Sequence, residues 1–158
     1  MKEPENSGSI SIRVPARLKY LSLICAFVES FCKALVSDMP DSDVRALQLA
    51  LDEVCSNVIR HGYGGECDST LSIEAQYEER SLCFVITDQG KRFDIDKAEA
   101  PPIPPPRESG YGIAIIRRAV DEVEHTWDGQ NNITRLTKYI RRTNDVAPTS
   151  GDKPDAGA

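Results

Sequence analysis

The chain has 158 residues, of which 40% are hydrophobic, and it carries a formal net charge of −6. This length fits a single domain, since a domain of about 150 residues buries roughly 68 to 70% of the surface that its unfolded chain exposes. The acidic balance argues against direct nucleic-acid binding, which needs a basic face for the phosphates. No apolar run reaches about 18 residues and the N-terminus lacks a signal-peptide pattern, so we expect no membrane span and a cytoplasmic protein. The five cysteines are an odd number without paired metal-ligand spacing, which predicts free thiols.

The N-terminal part of the chain has the pattern of a strand followed by helices. Apolar and polar residues alternate over residues 9–14, which predicts a strand available as an edge of the sheet. Apolar residues then recur on one helical face, so a helix is expected over residues 15–36. Residues 37–43 break this pattern, and either Asp41 or Ser42 is expected to cap the next helix.

The most informative segment, residues 47–65, places Glu53 and Asn57 four residues apart on this second helix. Residues at i and i+4 share one helical face, so a carboxylate and a carboxamide project side by side. Oxygen donors of this kind suit Mg²⁺, and the carboxylate could polarise a nucleophile. Because the same spacing also occurs on ordinary solvated faces, the pair needs support from the rest of the sequence.

Two strands are predicted next, over residues 70–77 and 81–88, joined as a hairpin. The second is apolar on both sides, as expected of a strand that is covered or nearly covered on two faces. It ends in Asp88-Gln-Gly90. An aspartate there, followed by a glycine that permits close approach, suits recognition of a planar heterocycle through its exocyclic amine, although an ordinary Asx turn would give the same pattern.

A proline-rich segment separates this strand from the last motif. Five of the six residues 101–106 are proline, which excludes a helix and favours an extended lid over the site or, alternatively, a ligand for an aromatic groove. Gly110-Tyr-Gly112 then opens a predicted helix whose apolar residues recur as far as Val123, and such a turn can cradle a phosphate. His125 is expected to follow the end of this helix and to complement its dipole.

A final strand over residues 132–140 is expected to close the sheet. We therefore place one domain at residues 9–142 and a disordered C-terminal tail at residues 143–158, since the tail is polar and rich in proline, glycine and aspartate.

In this order, the motifs resemble the Bergerat-type ATP-binding fold of histidine kinases, Hsp90-like chaperones, MutL and type II topoisomerases. Within that superfamily the chain is similar to the small anti-sigma-factor serine kinases. The stretches that carry the resemblance are ALDEVCSNVIRHGYGG, DQGKRFDID, ESGYGIAIIRRAVDEVEH and RLTKYI. The resemblance implies an α/β two-layer sandwich, with a mixed or antiparallel sheet covered on one face by helices.

The resemblance also implies roles for individual residues. Glu53 would be the general base toward the acceptor hydroxyl, Asn57 a ligand of Mg²⁺, and Asp88 the acceptor for the adenine amine. Arg107 would be a candidate cation for the terminal phosphate, although a solvated loop arginine is an equal alternative. The remaining implied ATP contacts are Gly90, Gly110, Tyr111, Gly112 and Thr134.

The sequence departs from the superfamily pattern at two places. Arg92 occupies the position of the second glycine in the frequent Asp-x-Gly-x-Gly motif. Gln130-Asn-Asn132 replaces a frequent Gly-Thr, so Asn132 or Thr134 would contact the adenine side through water.

The function implied by the resemblance is an ATP- and Mg²⁺-dependent serine/threonine protein kinase that acts as an anti-sigma factor. It would sequester a sigma factor and phosphorylate an anti-anti-sigma factor of the STAS type, as a homodimer formed through the first strand, without direct contact with nucleic acid or membrane. Two alternatives stay open: a nucleotide-gated binding module without kinase activity, and a detached histidine-kinase-type ATPase domain. The presence of both Glu53 and Asn57 favours phosphoryl transfer.

Overall fold

The computed structural model describes residues 8–78, 80–92 and 111–140. In chain order its elements are β1 (Gly8–Pro15), a 3₁₀ turn (Leu18–Tyr20), α1 (Leu21–Leu35), α2 (Asp41–Asn57), a π-helical turn (Val58–Gly62), β2 (Thr70–Glu78), β3 (Ser81–Asp88), α3 (Gly112–Ala119), β4 (Glu122–Trp127) and β5 (Asn132–Tyr139). The expectations for the proline-rich segment, Arg107, Gly110 and the C-terminal tail lie outside the described residues.

The five strands form one antiparallel sheet in the order β1-β2-β3-β5-β4. β2 and β3 make the predicted hairpin, in which Glu78 pairs with Ser81. β5 lies between β3 and β4, so the prediction that it closes the sheet is wrong. In the described part of the chain, the sheet has β1 and β4 at its edges.

The helices pack on one face of this sheet, which confirms the two-layer sandwich. Leu82, Phe84 and Ile86 of β3 point into the core and are fully buried, each contributing roughly 1.5–3 kcal/mol by burial. The ring of Phe31 in α1 meets Phe84 edge-on with centroids 6.0 Å apart. The opposite side of β3 has no helix over it in the described residues, and Cys83 there is partly exposed.

The predicted helix over residues 15–36 begins later than expected. Pro15 still pairs with Thr70 in the sheet, and the helix α1 starts at Leu21. Between them, Arg17 is extended and forms an ion pair with Asp68. Contacts with a distant loop therefore override the helical periodicity of this short segment.

The start of α2 also differs from the prediction. Pro40 precedes the helix, and no side chain of the described residues caps it. The backbone carbonyl of Pro40 instead accepts hydrogen bonds from the N–H groups of Asp43 and Val44, at 2.9 and 3.2 Å. Asp41 and Asp43 lie within the first turn, where their charges complement the helix dipole.

The predicted helix through Val123 is wrong after Ala119, because the chain turns there into strand β4. Val120 has an extended backbone, and the N–H group of Asp121 donates to the carbonyl oxygen of Thr137 at 2.9 Å. A turn at Asp128 and Gly129, whose φ of 101° favours glycine, then joins β4 to β5 as a hairpin. Asp-Gly between two alternating segments is the sequence signal for this hairpin.

All five cysteines are free, as predicted. Burial raises the pKa of the Cys32 thiol to about 11, which keeps this group protonated in the core. None of the helices in the described ranges is long and apolar enough to cross a membrane.

Candidate functional site

The C-terminal half of α2 brings together three of the predicted site residues. Leu47 and Leu51 on its core-facing side are fully buried, so the helix turns the half-buried Glu53 and Asn57 toward the start of α3. A β-carbon placed on Gly112 would lie 2.7 Å from Glu53 Oε2 and 3.3 Å from Asn57 Nδ2. Glycine at this position therefore lets the first turn of α3 contact both side chains.

The N-terminus of α3 faces the same group of residues. Tyr111 precedes the helix, is 44% exposed, and does not cap it with its side chain. Its carbonyl oxygen accepts a hydrogen bond from the N–H group of Ile115 at 2.9 Å. The N–H groups of the first turn and the positive end of the dipole favour an anion beside Glu53 and Asn57. We call Glu53, Asn57 and Gly112 the Glu53 end of the site.

A π-helical turn continues α2 toward β3. The N–H group of Tyr63 donates to the carbonyl oxygen of Val58 at 2.8 Å, and this wider turn places Gly62 against Gly90. A β-carbon on Gly90 would lie 2.7 Å from the carbonyl carbon of Gly62, which only glycine avoids. The N–H group of Lys91 also donates to the carbonyl oxygen of Gly62 at 2.7 Å. The turn after β3 is thus fixed to the end of α2, and π-helical turns of this kind are frequent at functional sites.

Asp88 lies at the end of β3 and is 4% exposed. Its Oδ1 accepts hydrogen bonds from the N–H group of Gly90 at 2.8 Å and from Asn132 Nδ2 at 3.0 Å. Its Oδ2 accepts none from the described residues. The carboxylate therefore forms an Asx turn with one oxygen and keeps the other as an acceptor, so the two interpretations of Asp88-Gln-Gly90 are compatible.

Tyr63 supports the same turn, and its role was not predicted from the sequence. Its hydroxyl accepts a hydrogen bond from the N–H group of Gln89 at 2.9 Å and donates to the carbonyl oxygen of Thr70 at 3.1 Å. Burial raises the pKa of Tyr63, so the hydroxyl stays neutral. We call Asp88, Gly90, Gly62, Tyr63 and Asn132 the Asp88 end of the site.

Two further polar residues lie on the helix side of β5 and β4. Thr134 is 5% exposed and pairs with Ile86 of β3, near the Asp88 end. His125 Nδ1 lies 2.9 Å from Thr134 Oγ1, so the expectation that His125 follows a helix end is wrong. Among the described residues, two buried side-chain atoms lack a hydrogen-bond partner, and these are His125 Nε2 and Asn132 Oδ1.

Arg92, at the position of the missing second glycine, packs on the sheet. Its guanidinium carbon lies 5.4 Å from the ring centroid of Trp127 at the end of β4. A cation over an indole face is worth roughly 0.5–1 kcal/mol at an exposed site. The start of the segment after Gly90 is therefore attached to β4 through the side chain of Arg92, whereas a glycine at this position would make no such contact.

The donor atoms at the Glu53 end suit Mg²⁺. Within the described ranges, no three His, Cys, Asp or Glu side chains form a metal-binding group. Mg²⁺ usually takes only one or two protein oxygens and completes its shell with phosphates and water. Glu53 Oε2 is such an oxygen beside Gly112, and the Asn57 carboxamide, whose Nδ2 is its atom nearest Gly112, carries a second one.

The fold and these two ends together define an ATP-binding domain of the histidine-kinase-like class. A helix presents Glu and Asn to a glycine at the start of another helix, and a buried Asp-x-Gly turn ends a central strand. The family model described as a histidine kinase-like ATPase domain matches residues 14–138, and the chain belongs to this family.

Two similar proteins are both named serine-protein kinase RsbW. The protein from Halalkalibacterium halodurans is 28% identical over 142 residues, which cover 85% of this chain and 85% of that protein. The protein from Bacillus cereus is 24% identical over 157 residues, which cover 92% of this chain and 96% of that protein.

Two solved structures share the fold. The RsbU and RsbW domains of a Mycobacterium tuberculosis protein superpose with a TM-score of 0.62 at 15% identity, covering 85% of this chain and 33% of the longer chain. The histidine kinase domain of a blue-light activated histidine kinase from Erythrobacter litoralis superposes with a TM-score of 0.51 at 18% identity, covering 80% of this chain and 62% of that one.

Proposed function

We propose that this protein is a Mg²⁺-ATP-dependent serine/threonine protein kinase that acts as an anti-sigma factor. It sequesters a sigma factor and phosphorylates an anti-anti-sigma antagonist of the STAS type. The observation that best supports phosphoryl transfer is the contact of Gly112 with Glu53, where a β-carbon would lie 2.7 Å from Oε2. This contact places the anion-binding start of α3 beside a carboxylate that can act as a base.

The Asp88 end receives the adenine ring in this proposal. Asp88 accepts a hydrogen bond from the exocyclic amine through Oδ2, and Gly90 lets the ring approach the backbone. Thr134 contacts the adenine side through water. Tyr111 and Gly112, together with Gly110 outside the described residues, bring backbone N–H groups to the phosphates.

The Glu53 end carries the chemistry. When bound, Mg²⁺ neutralises charge on the phosphates, and Asn57 is its protein ligand. Glu53 accepts the proton of the acceptor hydroxyl as that oxygen forms a bond to the γ-phosphorus, and the bond from the γ-phosphorus to the β-phosphate oxygen breaks to leave ADP. Arg107 is the proposed cation for the terminal phosphate.

The two similar proteins described above are named serine-protein kinases, which supports a protein acceptor. The proposal includes a cytoplasmic homodimer formed through β1, because in the described sheet β1 pairs with β2 alone. Unpaired strand edges can add a further strand, and Ile10 on β1 is 56% exposed.

Transfer of radiolabelled phosphate from Mg²⁺-ATP to candidate antagonist proteins tests the central claim. We expect one labelled acceptor, with the label on serine or threonine. A protein that binds ATP and its partners but labels no acceptor would instead be the nucleotide-gated binding module. Label on histidine would indicate the histidine-kinase-type alternative.

Partner switching makes a separate prediction. If the bound nucleotide changes the conformation of the surface that binds the two partners, the affinities for the sigma factor and the antagonist should differ between ATP, ADP and no nucleotide. We expect a coupling of roughly 1–3 kcal/mol, measured by calorimetry in the three conditions. Identical affinities would leave a kinase whose partner recognition is independent of its site.

A further inference from the structure

Asn132 is the first residue of β5, and its carboxamide packs against the Asp88 turn. Asn132 pairs with Asp88 across β5 and β3 and is 3% exposed. Its Nδ2 donates to Asp88 Oδ1 at 3.0 Å and to the carbonyl oxygen of Gly90 at 3.0 Å. One side chain therefore bridges the aspartate and the glycine of the Asp-x-Gly turn.

The orientation of this carboxamide is determined by its neighbours. Both neighbouring atoms are acceptors, so rotating the amide by 180° would place Oδ1 against two other oxygens. In the orientation present, Oδ1 is buried without a partner among the described residues. An unpaired buried acceptor costs free energy, and that cost is offset by the two hydrogen bonds that Nδ2 donates, one of them to a carboxylate.

The consequence is that the two oxygens of Asp88 become unequal. Oδ1 receives two N–H donors, from Gly90 and Asn132, whereas Oδ2 receives none from the described residues. We propose that Asn132 is a positioning residue for base recognition, which holds Asp88 so that Oδ2 alone is presented to the exocyclic amine of adenine. This inference rests on the proposed function of Asp88 and adds a determinant of the preference for an amino-purine.

The test compares ATP with purine riboside triphosphate, which lacks the exocyclic amine. Calorimetry on the full chain should show that Asn132→Ala weakens ATP binding by roughly 10-fold, the value of one hydrogen bond to a charged group. The affinity for the analogue should change by less than about twofold, because the analogue makes no bond to Asp88. A purely structural role would weaken both ligands equally.

Matched variants separate the possible outcomes. Gln130→Ala removes an exposed carboxamide two residues away and should leave both affinities unchanged. Asn132→Leu keeps the branched shape and should repeat the alanine result. Lost packing would then be excluded as the cause of the effect in the alanine variant. In an Asp88→Asn background, Asn132→Ala should have no further effect on ATP binding.

Binding by the wild-type protein also tests the assumption that Asp88 recognises the exocyclic amine of adenine. If it binds ATP no more tightly than the analogue, Asp88 does not recognise the amine, and the proposed adenine site fails. If it prefers ATP and the Asn132 variants keep that preference, the adenine site stands and the positioning role of Asn132 is overturned. Equal weakening of both ligands in the alanine and leucine variants would also overturn it.

Discussion

The Asp88 end of the site is held by hydrogen bonds, whereas the Glu53 end is held by packing. At the first, Asp88 Oδ1 accepts two hydrogen bonds, and the Tyr63 hydroxyl bridges the next residue of the turn to the start of β2. At the second, no described residue donates to or accepts from the side chains of Glu53 and Asn57, and their neighbour is a glycine.

This difference suits two different tasks. A group that discriminates between bases gains specificity when its acceptors are fixed before the ligand arrives. A base and a metal ligand must instead adjust as phosphate, metal and acceptor hydroxyl come together, and their hydrogen bonds often tighten only in the reacting complex. Substitutions at the two ends should therefore change different measured quantities.

The largest expected effect separates chemistry from binding at the Glu53 end. Glu53→Gln should lower the rate of phosphate transfer by roughly 10²- to 10⁴-fold, because an amide cannot accept the hydroxyl proton. ATP affinity should change little, since a base acts on the acceptor and not on the bound nucleotide. Single-turnover transfer and calorimetry measure the two quantities, with Asp52→Asn on the preceding residue as the control. Transfer at the wild-type rate would mean that the base is elsewhere.

The second prediction compares one substitution at both ends. Gly90→Ala should lower the free energy of unfolding by roughly 1–3 kcal/mol, because the new methyl group meets the backbone of Gly62. Gly112→Ala meets the flexible end of Glu53 and should cost much less stability while still impairing transfer. Urea denaturation measures both, and Gly8→Ala, with no atom within 4 Å of the new carbon, is the control. Equal destabilisation of both variants would contradict the comparison.

An effect of similar size, on ATP binding instead of stability, is expected when the charge of Asp88 is removed. Asp88→Asn should weaken ATP binding by about 1–3 kcal/mol, because the amide can present N–H groups where an acceptor is needed. The preference for ATP over GTP should fall as well. Asp128→Asn is a matched control, since Asp128 also accepts an N–H group two residues on, in an exposed turn. Unchanged ATP affinity in a folded Asp88 variant would remove this residue from the site.

The smallest effect concerns the Tyr63 hydroxyl. Tyr63→Phe should reduce stability by about 1 kcal/mol near neutral pH, since two hydrogen bonds to the backbone are lost. The pKa of Tyr63 is raised by burial, so the contribution of the neutral hydroxyl is fully present below the unfolded pKa of about 10. It is lost as pH rises through the folded pKa. Thermal denaturation between neutral and alkaline pH should therefore show the two proteins converging, whereas Tyr139→Phe, at an exposed hydroxyl, should differ less from wild type near neutral pH.

The elements with a strong local pattern were predicted well from the sequence. The alternation in β2 and β3 gave both strands and their hairpin, and helical spacing put Glu53 and Asn57 on one face of α2. These signals are local, since each depends on the period of a few neighbouring residues. The order of the motifs along the chain indicated the ATP-binding fold, which no single motif indicates on its own.

The errors arose where distant contacts decide the structure. The segment after Gly112 is apolar at helical spacing as far as Val123, yet pairing with β5 makes its second half a strand. The same pairing places His125 beside Thr134 instead of at a helix end. Asn132 reaches Asp88 only because β5 lies next to β3, a register that sequence periodicity does not encode.

The position of Trp127 has a spectroscopic consequence. The chain contains a single tryptophan, and this indole is 48% exposed beneath the guanidinium of Arg92. It pairs across the hairpin with Asn132, the residue that contacts Asp88. Excitation at the red edge of the protein absorption band therefore selects one fluorophore beside the Asp88 turn, and its emission is an intrinsic, label-free signal from that end of the molecule.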